Sequence, residues 1–308
     1  MKRVARRSFL AALGAGIGAP TLLRAQGRSK RLPLCFSTLG CPGWGWRRIL
    51  DEADRLGYAA IEVRLIEWDP NLPRRPEFTG ARLRESRRDL DALGLELVNL
   101  GSPVRLHEKE PATRSAHLDD GRRFIDLAHA LGVPYVRVFP DKLPPAEAAD
   151  DVLARIVEGG RELAAHARGS GVTVLLESHG DLTRSDVLEP VLKGVGSERF
   201  ALLWDAHHTA AMGGEPPAAT WGRLGRWVRH VHLKDSLPAG KQRRYVLTGE
   251  GDVPVREQVR VLVSGGYAGY YSFEWELCHH PEIGEPEVAF PHYVKTMGEY
   301  LAAAGFKA

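Results

Sequence analysis

Two histidines stand one residue apart in the segment HVHLKD, residues 230–235, and a lysine and an aspartate follow them. Side chains at positions i and i+2 of a β-strand point to the same face. Both imidazoles can therefore point into a protein interior, where a histidine serves as a hydrogen-bonded core residue or as a metal ligand. The segment alone fits an ordinary polar strand as well as a strand that ends at a metal site.

Three further apolar runs carry a carboxylate at or near their ends. Glu177 lies in VTVLLES, Asp205 in FALLWDA and Glu274 in YYSFEWE. One such carboxylate usually faces a loop or caps a helix, but three that converge on an interior would repel one another and lose hydration. A divalent cation compensates both costs. Three carboxylates with one imidazole suit Mn²⁺, Mg²⁺ or Co²⁺, and Zn²⁺ also accepts these ligands.

Convergence depends on the elements that carry these residues. From about residue 32 onward, eight short apolar runs alternate with segments of helical periodicity, several of which end at a glycine, as helices often do. The runs are 32–38, 59–65, 95–101, 134–140, 172–178, 200–206, 228–234 and 270–276. This alternation predicts an α/β fold, a single-domain (β/α)8 TIM barrel, with an open doubly wound sheet as the alternative. No G-x-G-x-x-G motif follows the first run, which disfavours a dinucleotide-binding sheet.

Active sites of such barrels lie at the C-terminal ends of the strands. Strands five to eight therefore bring one potential metal ligand each to the same mouth, and these are Glu177, Asp205, His232 and Glu274. His232 is nearer to its strand end than His230, so we expect His230 one layer deeper, where it supports the site through a hydrogen bond. His179, two residues after Glu177, is expected to support the metal site as well.

The segments LLESHG, WDAHH, HVHLKD, GEGDVP and GYAGYYSFEWE occur in this order after the opening FSTLGCPGW. Together they resemble the xylose isomerase-like TIM-barrel superfamily, which contains sugar phosphate isomerases and epimerases and the AP endonucleases of family 2. The resemblance covers roughly residues 32–305. It implies one divalent metal, Mn²⁺ before Mg²⁺, Co²⁺ or Zn²⁺, held by the four residues at the strand ends.

In the epimerases of this superfamily, two glutamates flank the substrate carbon. One removes a proton next to a carbonyl and the other returns a proton from the opposite face, while the metal stabilises the ene-diolate. The resemblance implies that Glu177 and Glu274 have these catalytic roles here. It also implies that His208, three residues after Asp205, contacts the substrate.

Other charged residues lie within or next to the predicted strands. Arg64 shares a strand face with Glu62, and Arg137 lies in the middle of the fourth run. If they point inward, they form a buried polar cluster that either anchors the substrate or makes structural ion pairs inside the barrel. Lys234 either contacts substrate oxygens or forms a salt bridge with Asp235 at the rim.

The resulting prediction is a metal-dependent sugar isomerase or epimerase with a small carbohydrate as its partner. A lyase or dehydratase of keto-sugars or 3-keto-glycosides is the alternative, because β-elimination uses the same base and metal. A non-catalytic carbohydrate-binding protein and an apurinic-site endonuclease are further alternatives. The endonuclease needs more histidine ligands from the early strands, and a net charge of +3 does not indicate a nucleic-acid partner. A homo-oligomer is compatible with the sequence.

The N-terminal segment MKRVARRSFLAALGAGIGAPTLLRAQG has a basic start and the pair Arg6-Arg7 before a weakly apolar run. It resembles a twin-arginine export signal that is cleaved after Ala25, which leaves the barrel in residues 26–308. The apolar run is short and contains Pro20, so a stable membrane anchor is not expected. We therefore expect a periplasmic or otherwise exported protein.

Overall fold

The computed structural model describes residues 31–240 and 242–307, so the predicted export signal lies outside the described residues. Eight parallel strands form a closed barrel, which is complete because the first strand pairs with both the second and the last. The barrel strands are β1 (Leu34–Ser37), β2 (Ala60–Val63), β3 (Glu96–Arg105), β4 (Tyr135–Phe139), β5 (Thr173–Glu177), β6 (Phe200–Asp205), β7 (Val228–Leu233) and β10 (Tyr271–Phe273). The predicted barrel is therefore confirmed, and the open sheet is excluded.

One α-helix follows each barrel strand. The helices are α1 (Trp46–Leu56), α2 (Gly80–Leu93), α3 (Pro111–Leu131), α4 (Ala149–His166), α5 (Ser185–Val195), α6 (Pro217–Leu224), α7 (Val255–Ser264) and α8 (Pro286–Ala303). None of the helices in the described ranges combines the length and apolar character that crossing a membrane requires.

Alternation along the strands separates an outer core from the barrel interior. Leu176 belongs to the large core that the strands share with the helices, whereas Leu175 and Leu203 belong to a separate small cluster. Strand side chains repeat every two residues, so Glu177 and Asp205 lie on the same inner face, one layer nearer to the strand ends. This period is what directs the candidate ligands into the barrel.

Two features of the sheet differ from the sequence prediction. The eighth barrel strand ends at Phe273, so Glu274 lies just beyond it. An antiparallel hairpin of β8 (Asp235–Ala239) and β9 (Gln242–Val246) is inserted between β7 and α7. The hairpin was not predicted because its sequence is mostly polar and contains Pro238, without the apolar alternation of a strand packed on a core.

Candidate metal centre

The four residues predicted at the strand ends lie together in the structure. Each offers one ligand atom, and the ligand atoms of Glu177, Asp205, His232 and Glu274 are all within 4.8 Å of one another. All four side chains are buried. Nδ1 of His232 lies 3.1 Å from Oε2 of Glu274, 3.6 Å from Oε1 of Glu177 and 3.8 Å from Oδ2 of Asp205. The imidazole nitrogen therefore faces three converging carboxylates.

Two buried atoms of this group lack a hydrogen-bond partner among the described residues, Nδ1 of His232 and Oε2 of Glu177. The 3.1 Å approach of Nδ1 to Glu274 does not have hydrogen-bond geometry. Buried polar atoms rarely remain unpaired, so two of them in one cluster indicate a missing partner. One imidazole nitrogen among carboxylate oxygens is a donor set that fits a divalent cation.

Glu62 of β2 connects the candidate site to His230. Its Oε2 accepts hydrogen bonds from Nε2 of His230 at 2.7 Å and from Nε2 of His232 at 2.9 Å. Burial raises the pKa of Glu62, but the two imidazoles outweigh it and hold this pKa below its usual range. The ionised carboxylate can only accept, so the Nε2 atom of His232 carries a proton and Nδ1 is left to face the carboxylates. His230 thus lies where it can support the site through Glu62.

Lys234 is fully buried beside the candidate ligands, not at the rim. Its Nζ donates to Oδ2 of Asp205 at 2.7 Å, to Oε1 of Glu276 at 2.8 Å and to Oε2 of Glu274. The predicted alternative of a rim salt bridge with Asp235 is therefore wrong, because Asp235 accepts the backbone N–H groups of Gly249, Gly251 and Val253 instead. Lys234 directly follows β7, which ends at Leu233, and its side chain points inward as that of His232 does. Burial lowers the pKa of the ammonium, but the three carboxylates raise it well above its usual value.

Burial changes the protonation of the cluster unevenly. Burial raises the pKa of Asp205 to about 7, although the Lys234 ammonium opposes this shift. Burial also raises the pKa of Glu274, but His232 and Lys234 outweigh it and leave this pKa well below its usual range. Glu274 is thus the more firmly ionised of the two carboxylates.

Two arginines, Arg137 and Arg64, lie near Glu177. Nε of Arg137 is 3.3 Å from Oε2 of Glu177, and its guanidinium lies over the ring of Phe139 at 3.7 Å. Burial raises the pKa of Glu177, but Arg137 contributes most to lowering it below its usual range. Arg64 is half-buried with its Nη1 at 3.5 Å from the carbonyl oxygen of Gly101. Burial and the charge of Arg137 lower the pKa of Arg64 to about 10.

The predicted inner cluster of Glu62 with the two arginines has different partners in the structure. Glu62 pairs with histidines, whereas Arg137 pairs with Glu177. Nε and Nη1 of Arg137 are buried and have no hydrogen-bond partner among the described residues. Nε lies 3.3 Å from the unpaired Oε2 of Glu177, so Arg137 has hydrogen-bonding capacity left beside the candidate ligands.

The histidines after β5 and β6 have distinct places. The backbone N–H of His208 donates to Oδ1 of Asp205 at 2.9 Å, and its Nδ1 lies 3.1 Å from the carbonyl oxygen of Ser178. The ring of His179 lies 5.1 Å from that of His208, while its Nδ1 is 3.3 Å from Oδ1 of Asp141. His179 forms no hydrogen bond with the four candidate ligands in the described structure. Burial lowers the pKa of His179, but Asp141 and the charge of Glu177 raise it above its usual value, so its expected support of the metal site stays a prediction. β5 ends at Glu177, and strand alternation therefore does not extend to His179.

Glu276 is the residue of the site that the sequence analysis missed. It is nearly buried and accepts from Lys234, although it lies beyond the last barrel strand. The segment SFEWE contains the signal, because Glu274 and Glu276 are two residues apart and could share one direction. Only the strand-end residue at the depth of the other three was selected.

Polar residues gathered at the C-terminal ends of the strands define the class, a TIM barrel with the site position common to enzymes of this fold. The family profile described as Xylose isomerase-like TIM barrel matches residues 50–290, and the chain belongs to this family. Fructoselysine 3-epimerase of Shigella flexneri is 26% identical over 234 residues, which are 72% of this chain and 82% of that protein.

The chain is also similar to a deglycosidase subunit in sequence and to a zinc-binding barrel in structure. The 3'-dehydrocarminate deglycosidase alpha subunit of a Microbacterium species is 26% identical over 231 residues, 69% of this chain and 61% of that protein. The solved structure of the IolI protein with a binding zinc atom superposes with a TM-score of 0.71 at 16% identity. The superposition covers 89% of this chain and 98% of that chain, and at this identity it demonstrates a shared fold.

Proposed function

We propose that the protein is a divalent-metal-dependent sugar isomerase or epimerase that removes a proton next to a carbonyl group. The observation that carries this proposal is the buried convergence of three carboxylates on Nδ1 of His232, with two atoms of the group unpaired. Similarity to a fructoselysine 3-epimerase supports it. The proposed ligands are Glu177, Asp205, His232 and Glu274, with Mn²⁺ as the first candidate ion.

Glu177 and Glu274 are the proposed proton-transfer pair. They approach the same imidazole nitrogen but have different cationic neighbours, Arg137 beside Glu177 and Lys234 beside Glu274. These neighbours favour the ionised form of both carboxylates, so each can accept a proton from a substrate carbon. A bound divalent cation would supply polarisation of the substrate carbonyl and hydroxyl oxygens.

Substrate contacts are proposed for residues around this pair. His208 is fixed through its backbone by Asp205, and Arg64 is the half-buried cation of the site. Arg137 has unpaired donors beside Glu177, and Lys234 lies beside Glu274. The two arginines can donate hydrogen bonds, and His208, whose Nδ1 faces a carbonyl oxygen, can accept one at Nε2, which suits a ligand rich in hydroxyl and carbonyl oxygens such as a carbohydrate. Lys234 can contact such a ligand only when it releases one of its three carboxylate acceptors.

A lyase that acts on 3-keto-glycosides is the second candidate. The similarity to a deglycosidase alpha subunit favours it. Abstraction of the proton next to the keto group, followed by loss of the group at the β-carbon, needs the same base as epimerisation. The two candidates therefore differ in their product and not in the residues that begin the reaction.

The two reactions are distinguished by proton NMR of product mixtures. Metal-stripped protein is reloaded with Mn²⁺ and incubated with keto-sugars, fructosamines and 3-keto-glycosides. A new sugar epimer or isomer supports the first candidate, and a released aglycone with an unsaturated sugar supports the second. Absence of turnover on every carbohydrate, with tight binding of one of them, would instead identify a non-catalytic binding protein.

We also propose export through the twin-arginine pathway, on the RRSFL segment of the first 25 residues. Fractionation of cells that express the full chain tests this directly. Mature protein in the periplasmic or secreted fraction supports export, and uncleaved protein confined to the cytoplasmic fraction contradicts it.

A further inference from the structure

Lys234 binds oxygen atoms of two carboxylates that would also hold a cation at the candidate site. Nζ of Lys234 donates to Oδ2 of Asp205 and to Oε2 of Glu274. These are also the oxygens of the two residues that approach Nδ1 of His232, at 3.8 Å and 3.1 Å. A metal ion held by His232 and these carboxylates would therefore meet the ammonium at atoms that the ammonium already binds.

Glu276 gives the ammonium a third partner outside the four candidate ligands. Its Oε1 accepts from Nζ of Lys234 at 2.8 Å, and its side chain is almost as buried as those of the ligands. An ammonium has three N–H donors, and Asp205, Glu274 and Glu276 accept all three. Loss of the first two acceptors would leave Lys234 with a buried carboxylate as its counter-charge.

Charge balance explains why such an arrangement is needed. Carboxylates that lie together in a buried site repel one another and are stable only with a compensating cation. For Asp205 and Glu274 the Lys234 ammonium, which is fully buried beside both, can provide this compensation, as Arg137 does for Glu177. When a divalent cation binds the same oxygens, it repels the ammonium across a few ångströms.

We propose that Lys234 is a built-in counter-ion that takes the place of the metal in the metal-free protein and withdraws to Glu276 when the metal binds. Lys234 is in this account a positioning residue that keeps Asp205 and Glu274 together before metal loading. The proposal rests on the metal dependence proposed above. It predicts that the charges of Lys234 and Glu276 change metal affinity in opposite directions.

Three variants test this pair. Lys234→Met removes the competing charge, so the metal-free protein becomes less stable while its metal affinity rises by about tenfold or more. Glu276→Gln keeps the shape of the side chain but weakens the alternative partner, so the ammonium stays on Asp205 and Glu274 and metal affinity falls by about tenfold. In the double variant the Glu276 substitution loses most of its effect, because no ammonium remains to be received.

The measurement is Mn²⁺ and Zn²⁺ affinity of metal-stripped protein by chelator competition, with circular dichroism and thermal unfolding of each metal-free variant. Opposite shifts for the single variants and a smaller Glu276 effect in the Lys234→Met background support the counter-ion. Weaker metal binding by Lys234→Met would overturn it, since Lys234 would then shape the site for the metal. If that variant does not fold, an unchanged affinity of Glu276→Gln overturns the proposal by itself. Wild-type protein that binds neither metal would overturn the proposed function. Wild-type protein that binds metal, with both single variants shifting the affinity in the same direction, would overturn only the counter-ion role of Lys234.

Discussion

Glu62 joins the two histidines of β7 through hydrogen bonds to its carboxylate. It accepts from Nε2 of both His230 and His232, and so it determines which nitrogen of His232 faces the carboxylates. Glu62→Gln keeps the shape but replaces one acceptor oxygen by an amide donor that opposes the Nε2–H groups. Substitution of a residue that hydrogen-bonds a metal ligand typically lowers metal affinity by ~10–100-fold. We expect Glu62→Gln to lower metal affinity by this amount.

Chelator competition measures the effect of the Glu62 substitution. Glu158→Gln is the matched control, since the Glu158 side chain is 74% exposed and pairs with Arg114 on the surface. The control should bind metal as the wild type does. Equal affinities for wild type and Glu62→Gln would contradict the role assigned to the bridge between the two histidines.

At the residue scale, the sequence predicts how far along a strand each side chain lies, but it does not predict which side chains form hydrogen bonds with one another. The spacing of two between His230 and His232 and the position of the strand end placed both histidines, because strand geometry is regular. The partners of Lys234 and Glu62 depend on how strands far apart in sequence meet across the barrel. Glu62 and His232 are 170 positions apart, and no local pattern links them.

At the element scale, the segments after β4 and β5 fit closely together at the mouth of the barrel. Asp141 has a φ of 68°, and its carbonyl oxygen would lie 2.0 Å from a Cβ added to Gly180, which itself has a φ of 63°. The Asp141 carboxylate contacts His179 and also Nε of Arg105 at 2.8 Å. These contacts hold the ring of His179 at the rim next to His208.

Asp141→Asn tests this junction through its pH dependence. The close approach of His179 contributes most to lowering the pKa of Asp141, and burial opposes it. A carboxyl group whose pKa is lowered by folding stabilises the folded state at pH values above its usual pKa near 3.8. This stabilisation is lost as the pH falls through the lowered pKa. Burial lowers the pKa of His179, but Asp141 contributes most to raising it above 6.5, so at about pH 6 both groups are charged.

We expect Asp141→Asn to lower the free energy of unfolding by ~1–3 kcal/mol at about pH 6, because the charged contacts of Asp141 with His179 and Arg105 are lost. Asparagine tolerates a positive φ, so the backbone is not strained by this substitution. Urea unfolding of both proteins from about pH 6 to pH 3 should show the difference shrinking as the pH falls. A difference that is constant over this range would contradict the ionic origin of the effect.

At the scale of the whole molecule, the alternation of eight apolar runs with helical segments was sufficient to predict the barrel. A strand at the edge of a sheet leaves backbone hydrogen-bonding groups unpaired. Pairing of β1 with β10 removes both edges of the sheet. The β8–β9 hairpin escaped prediction because, among the described residues, its two strands pair only with each other and show no regular apolar alternation. Glu276 escaped because its direction depends on the irregular chain that follows β10.

The central claim is that Glu177 and Glu274 exchange a carbon-bound proton of a sugar at a buried metal site. Its most direct test is hydrogen exchange between substrate and D₂O, followed by proton NMR, in protein whose metal content has been measured by elemental analysis. We expect about one divalent ion per chain and loss of the substrate C–H signal next to the carbonyl. Glu177→Gln and Glu274→Gln should each slow this loss by at least ~100-fold. Metal-loaded wild type that binds a sugar without any exchange would contradict the claim.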